Sequence, residues 1–268
     1  MTPLAPRRER LRAATIAEIK QVARDQIALG GVGAISLRGV AKAMGMTPSA
    51  LYRYFDSHDV LVAELCADAF ASLADDLEAA YAAGAQEVHA RRWLRLARGY
   101  RRWAHEHEPE YSLLFGPQSS HDLRDKLGRC GAEMRRAVGV LFQCMITQVV
   151  EGVIDPSHLE AGLKPELRER LDAWGAEEGA PISTGALAGC LLVWTQLHGF
   201  LSLELFGHLP PALGDATDLY DQQMLDVIVR IGYREPIDLM AVTAPDPDAA
   251  ATAAAAGPAV AHRATGPG

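Results

Sequence analysis

The chain has 268 residues, 49% of them hydrophobic, and a formal net charge of −8, which supplies a real core for one large domain or two ordinary ones. Cys66, Cys130, Cys144 and Cys190 lie far apart and form no CxxC pair, which argues against a zinc site or disulfide framework and for a reducing cytoplasm. The opening MTPLAPRRER has two early prolines and no apolar run, unlike a signal peptide.

Apolar spacing in chain order predicts helices over Arg8–Leu29, Leu37–Met44, Pro48–Tyr54, His58–Tyr81, Val88–His107, Leu123–Val153, Pro165–Trp174, Thr184–Phe206 and Ala216–Ile231. Strand-like alternation is absent, so the expected class is all-α, with about nine helices. Turn and capping residues punctuate them at GGVG (30–33), DSHD (56–59), EP before Glu110, FGP (115–117), DPS (155–157), GAPIS (179–183) and GHLPP (207–211). The expected organisation is an arm over 1–9, a three-helix head over 10–57, a helical bundle over 58–235 and a disordered Ala/Pro/Gly-rich tail over 236–268.

The stretch SLRGVAKAMGMTPSALYRYF (36–55) carries the strongest local pattern. Ser36 can cap a helix on which Leu37, Val40, Ala41 and Met44 share one face. Gly45 suits a left-handed exit, Thr47 caps again, and Pro48 opens the second helix. Leu51 and Phe55 then point inward, leaving Ser49, Ala50, Arg53 and Tyr54 outward. This is a helix-turn-helix plan, whose second helix fits a DNA major groove of about 12 Å. The expected DNA contacts are Ser36, Arg38, Thr47, Pro48, Ser49, Ala50, Tyr52, Arg53 and Tyr54. Charge agrees locally: residues 1–65 hold nine Arg and Lys against six acids, although the remainder stands at −11. A helical corner in an arbitrary α-protein would show the same bare pattern.

The order S-L-x-x-V-A-x-x-x-G-M-T-x-x-x-L-Y-x-Y-F-x-S, followed by Leu61, resembles the tetracycline-repressor (TetR) family of bacterial regulators over about fifty residues. The resemblance implies a homodimer with N-terminal reading heads and a C-terminal domain for dimerisation and a small-molecule effector. Further on, YRRWAHEHEPEYSLLFG (100–116) and WTQLHGFLSLELFG (194–207) resemble a subgroup marked by a tryptophan and a His-Gly pair. His58 stands where the family usually has lysine, and we include it among the expected DNA contacts.

Inward stripes run Trp93–Leu96–Tyr100–Trp103–His107, Met134–Val138–Leu141–Met145–Val149 and Leu187–Leu191–Trp194–His198–Leu201–Leu205. Most such stripes are plain core. What singles these out is large aromatics beside hydrogen-bonding groups at one depth, the mix expected of a pocket for an apolar or aromatic molecule. Tyr100, Trp103, His107, Met145, Trp194 and His198 are the expected effector contacts. His105 and His107 in HEHE are two apart and point to different sides of a helix, so no metal site is expected there. No nucleophile elbow or nucleotide fingerprint occurs, and we expect no catalytic residue and no cofactor.

The apolar window from Leu187 contains Gln196, His198 and Glu204, which a bilayer would penalise, so it reads as a buried helix rather than a membrane span. With the following helix it is expected to form a four-helix seam across a two-fold axis, with Gly185, Ala188 and Gly189 as the close-crossing face. The sequence thus reads as a cytoplasmic repressor of an inverted-repeat duplex operator, released by a small effector. The rival reading is an α-helical binder or enzyme with a vestigial helix-turn-helix.

Overall fold

The computed structural model describes residues 7–116, 128–177 and 182–244. Among these residues every regular element is a helix, and strand-type pairing is limited to one antiparallel bridge, Ile154 with Tyr233. The elements are α1 (Arg7–Gly30), α2 (Leu37–Ala43), α3 (Pro48–Tyr52), α4 (His58–Ala83), α5 (His89–Glu106), α6 (Glu108–Phe115), α7 (Arg129–Val150), α8 (Ser157–Ala161), α9 (Pro165–Glu177), α10 (Thr184–Leu205), α11 (Thr217–Arg230) and α12 (Leu239–Thr243). All nine expected helices are present, with α6, α8 and α12 in addition.

The 26-residue α4 is the axis of the molecule. Leu61, Leu65, Phe70, Leu73 and Leu77 are buried along it; its main neighbours are α7 and α5, and Phe70 meets Phe115 of α6 at 6.0 Å. Helix α5 is tied to its neighbours by side-chain donors reaching buried acceptors. Trp93 Nε1 donates to Met224 O at 2.7 Å, Tyr220 OH donates to Ala97 O at 2.6 Å, and Trp103 Nε1 donates to Ser72 Oγ at 3.0 Å. Indole and phenol groups buried this deeply need such partners.

Helix α10 is long and apolar enough to cross a membrane by length and composition alone. Each of its polar side chains is nevertheless engaged within the fold. Gln196 Nε2 donates to Gln223 at 2.6 Å, His198 meets Tyr111, and Glu204 pairs with Arg101 at 2.7 Å. The small face of α10 also works inside the chain. A Cβ at Gly185 would lie 2.6 Å from Pro156 O, and Gly189 packs near Leu159 and Ile231.

Several boundaries differ from expectation. Pro109 sits in the first turn of α6, where its missing N–H is no loss, so the EP dipeptide starts a helix instead of only ending one. Helix α3 closes at Tyr52, two residues early, and α7 is described from Arg129 to Val150; residues 123–127 lie outside the described residues. Arg7, Arg8 and Glu9 belong to α1 and not to an arm; residues 1–6 lie outside the described residues.

The expected disordered tail is corrected at its start. Asp238 caps α12, Val242 is buried, and Arg91 and Arg98 of α5 donate to the carbonyls of Ala241 (2.6 Å) and Thr243 (2.9 Å). Guanidinium groups on the last carbonyls of a helix complement its dipole. The remainder of that expectation, 245–268, lies outside the described residues.

Candidate nucleic-acid interface and effector core

Helices α2 and α3 cross on a small apolar seat. Val40, Ala41 and Leu51 are fully buried, Leu37 and Phe55 nearly so, and Met44 and Met46 pack at its edge. Ser36 caps α2 by accepting from Gly39 N at 3.0 Å, and Thr47 caps α3 by accepting from Ala50 N at 3.3 Å. Between them Gly45 has φ +64°, a left-handed conformation that side chains resist. The Met46 amide then donates back to Ala41 O at 2.9 Å, closing the turn.

What this seat leaves outside is polar. Ser36, Arg38, Thr47, Pro48, Ser49, Tyr52, Arg53 and His58 are exposed, while Ala50 is half-buried. Tyr54 departs from the outward expectation: it packs partly on the core, and the Arg12 guanidinium lies over its ring at 5.1 Å. The Thr47 and Ser49 hydroxyls are 3.1 Å apart. His58 opens α4 behind the cap Ser57, with Nδ1 3.2 Å from the Asp59 carboxylate. That carboxylate competes with any phosphate for the same imidazole.

A charge cluster joins the head to the bundle. Lys20 of α1 is buried and donates to Glu64 and Asp68 of α4, both at 2.9 Å. Arg129, the first residue of α7, reaches the same two carboxylates at 3.0 and 2.7 Å. Burial pushes the Asp68 carboxyl up, but Lys20 and Arg129 outweigh it and hold the group below the usual carboxylate range.

The aromatic core lies where α5, α6 and α10 meet. Tyr100 and Trp103 are fully buried with ring centroids 6.5 Å apart, and Tyr100 stacks on Trp194 at the same separation. Trp194 and His198 are parallel at 5.3 Å, and His107 stacks on Trp103 at 5.3 Å. Five of the six expected effector residues are therefore contiguous. Met145 lines a separate small crevice with Cys190 and Ile231.

Tyr111 and Phe115 of α6, with Ser202, complete the aromatic core and escaped the sequence reading. Tyr111 OH is 3.2 Å from His198 Nδ1 and 3.0 Å from Ser202 Oγ, and Phe115 meets the His198 ring at 4.4 Å. Burial pulls His198 down to about 4, so it is a neutral imidazole at pH 7. Among the described residues the Tyr100 hydroxyl is buried without a hydrogen-bond partner, as are Arg92 Nε and Gln148 Oε1; of the three, only the Tyr100 hydroxyl lies in the aromatic core. His105 turns away to Glu204 at 3.1 Å. Burial pushes the Cys144 and Cys190 thiols up to about 12, which keeps them protonated and unreactive.

Two family models match the chain: "Bacterial regulatory proteins, tetR family" over residues 19–65, and "Tetracyclin repressor-like, C-terminal domain" over residues 93–227. The chain is 29% identical over 211 residues to the HTH-type transcriptional regulator Rv1816 of Mycobacterium tuberculosis, covering 77% of this chain and 88% of that protein. It is similar to the crystal structure of putative regulatory protein SCO4313, with 34% identity, a TM-score of 0.66 and coverage of 84% of this chain and all of that one. A Rhodococcus sp. RHA1 protein of unknown function shares the fold at 20% identity and a TM-score of 0.59, over 82% of this chain and 95% of that one.

Proposed function

The chain belongs to the tetR family of bacterial regulatory proteins, a helix-turn-helix transcriptional regulator, and on that premise we propose that it is an effector-released repressor. In this reading the protein is cytoplasmic and binds an inverted-repeat duplex operator as a homodimer. The head over residues 10–57 meets DNA through Ser36, Arg38, Thr47, Pro48, Ser49, Ala50, Tyr52, Arg53, Tyr54 and His58. The observation that carries the reading is the exposed hydroxyl-and-arginine tip of α3, set on a fully apolar seat beside two capped helix N-termini. Exposed Leu203, Leu219 and Val229 on α10 and α11 favour a two-fold seam there.

The effector, an apolar or aromatic molecule, enters the bundle over 58–235 and meets Tyr100, Trp103, His107, Trp194 and His198, with Met145 set apart in its own crevice. The unpartnered Tyr100 hydroxyl supports a ligand carrying one hydrogen-bonding oxygen. Because α4 walls the bundle and begins at the head, an effector that favours one setting of α4 changes the spacing of two heads on DNA. Release requires the effector to bind the DNA-free setting more tightly than the bound one.

Selection of duplexes from a random pool, followed by fluorescence anisotropy against salt, tests this reading. A palindromic consensus and a steep fall of affinity with salt are expected. Absence of duplex binding at low salt refutes it and leaves a binder with a vestigial head.

A further inference from the structure

Helices α7, α9 and α10 border a cleft of about 320 Å³, open to solvent on one side, that contains none of the six effector residues. Its walls are Met134, Val138 and Phe142 of α7, Trp174 of α9, Ile182 and Leu187. At 3.6 residues per turn, the α7 wall lies roughly a third of a turn from that helix's buried face. Leu187 precedes Trp194 on α10 by seven residues, roughly 10 Å. The cleft is thus a site apart from the aromatic core, at the small end of the range for ligand pockets.

Two residues give it chemistry. Among the described residues, Arg135 is the one charged member of the lining and has no carboxylate partner. Gly139 sits mid-helix, where glycine costs about 1 kcal/mol relative to alanine. Gly139 is exposed at the edge of the cleft and a Cβ there would meet no atom within 4 Å, so the absent side chain leaves that edge open. A guanidinium at the edge of an apolar cleft suits a molecule with an apolar body and one planar anionic end.

We propose that this cleft is a second small-molecule site, taking a compact apolar carboxylic acid whose carboxylate pairs with Arg135. The apolar body lies along Val138, Phe142 and Trp174. The proposal is independent of DNA binding and of the aromatic core, and its readout is binding alone.

Titration of the full chain with decanoate and with decanol, followed by calorimetry and tryptophan fluorescence, tests it. Decanoate is expected to bind saturably and decanol roughly tenfold more weakly. Arg135→Gln should bring decanoate down to the decanol level without moving decanol. Gly139→Leu should abolish both by filling the space, with a melting curve to confirm folding. Arg135→Gln lies at an exposed position and carries the test alone if Gly139→Leu does not fold. Equal binding of acid and alcohol, binding unchanged in Gly139→Leu, or binding lost in Trp194→Ala and kept in Gly139→Leu each overturns the proposal. So does a chain that binds neither probe because a second copy fills the cleft, seen as loss of the dimer mass in Gly139→Leu.

Discussion

Arg129 Nη1 lies 2.7 Å from Asp68 Oδ1, and the other oxygen of the same carboxylate takes Lys20 Nζ at 2.9 Å. One carboxylate therefore bridges α7 to α1 through α4. Asp68→Asn should destabilise the protein by roughly 1–2 kcal/mol at pH 7, since it leaves a buried lysine short of charge. The folded pKa is depressed, so this stability is present above the ordinary carboxylate range and is lost as pH falls through the folded value. The gap in melting temperature between parent and variant should be full at pH 6 and should close below about pH 4. A gap independent of pH would contradict the ion pairing.

His198 titrates with the same sign for a different reason. Burial lowers its folded pKa to about 4, whereas the unfolded side chain titrates near 6.5. Acidification from pH 7 to 4 should therefore remove about 3 kcal/mol. His198→Gln should flatten that part of the melting profile; an unchanged profile would place the histidine in contact with water.

Tyr100→Phe removes a hydroxyl that is buried without a partner among the described residues. Without effector, the variant should be as stable as the parent or more so, by up to about 1 kcal/mol. The same change should weaken an oxygen-bearing effector roughly tenfold. A loss of stability in thermal melts would reveal a partner for that hydroxyl and remove the case for a ligand anchor.

Gly45 has φ +64°, and a Cβ there would meet nothing within 4 Å. Gly45→Ala should cost about 1–2 kcal/mol through backbone strain alone, with no steric share. Gly45→Asn should recover part of that loss in denaturant titrations, because asparagine tolerates the left-handed region. Equal cost for both would point to a side-chain clash instead.

At the α3 tip, Arg53→Ala should weaken operator binding roughly tenfold and lower the salt slope by about one. Tyr52→Phe should weaken it less. Both side chains are exposed, so melting temperatures should stay within the equivalent of about 0.5 kcal/mol. Unchanged affinity in both variants would move the DNA surface elsewhere.

The head was legible in the sequence because its determinants are local. Ser36, Gly45, Thr47 and Pro48 act on amides within three residues of themselves, and the apolar seat follows from helical spacing. The aromatic stripes of α5 and α10 were legible for the same reason. Other features depend on distant partners. Tyr111 reaches His198 across 87 residues, Lys20 reaches Glu64 across 44, and α12 is held by arginines about 150 residues earlier. In the last case the ordered segment carries Ile237, Leu239, Met240 and Val242 ahead of the Ala/Pro-rich stretch, and guanidinium groups take its carbonyls. The small face of α10 was legible as a close crossing, but its neighbour within the chain, Pro156, was not.

At 1.5 Å per residue, the 26 residues of α4 make a rod of about 39 Å, with Ser57 capping one end and Gly84 at the other. Pivoting such a rod by about 5° about its far end carries the near end through roughly 3 Å. That travel is close to the rise of one base along a DNA strand, about 3.4 Å. Small angular play inside the bundle is thereby geared up to the repeat distance of the duplex.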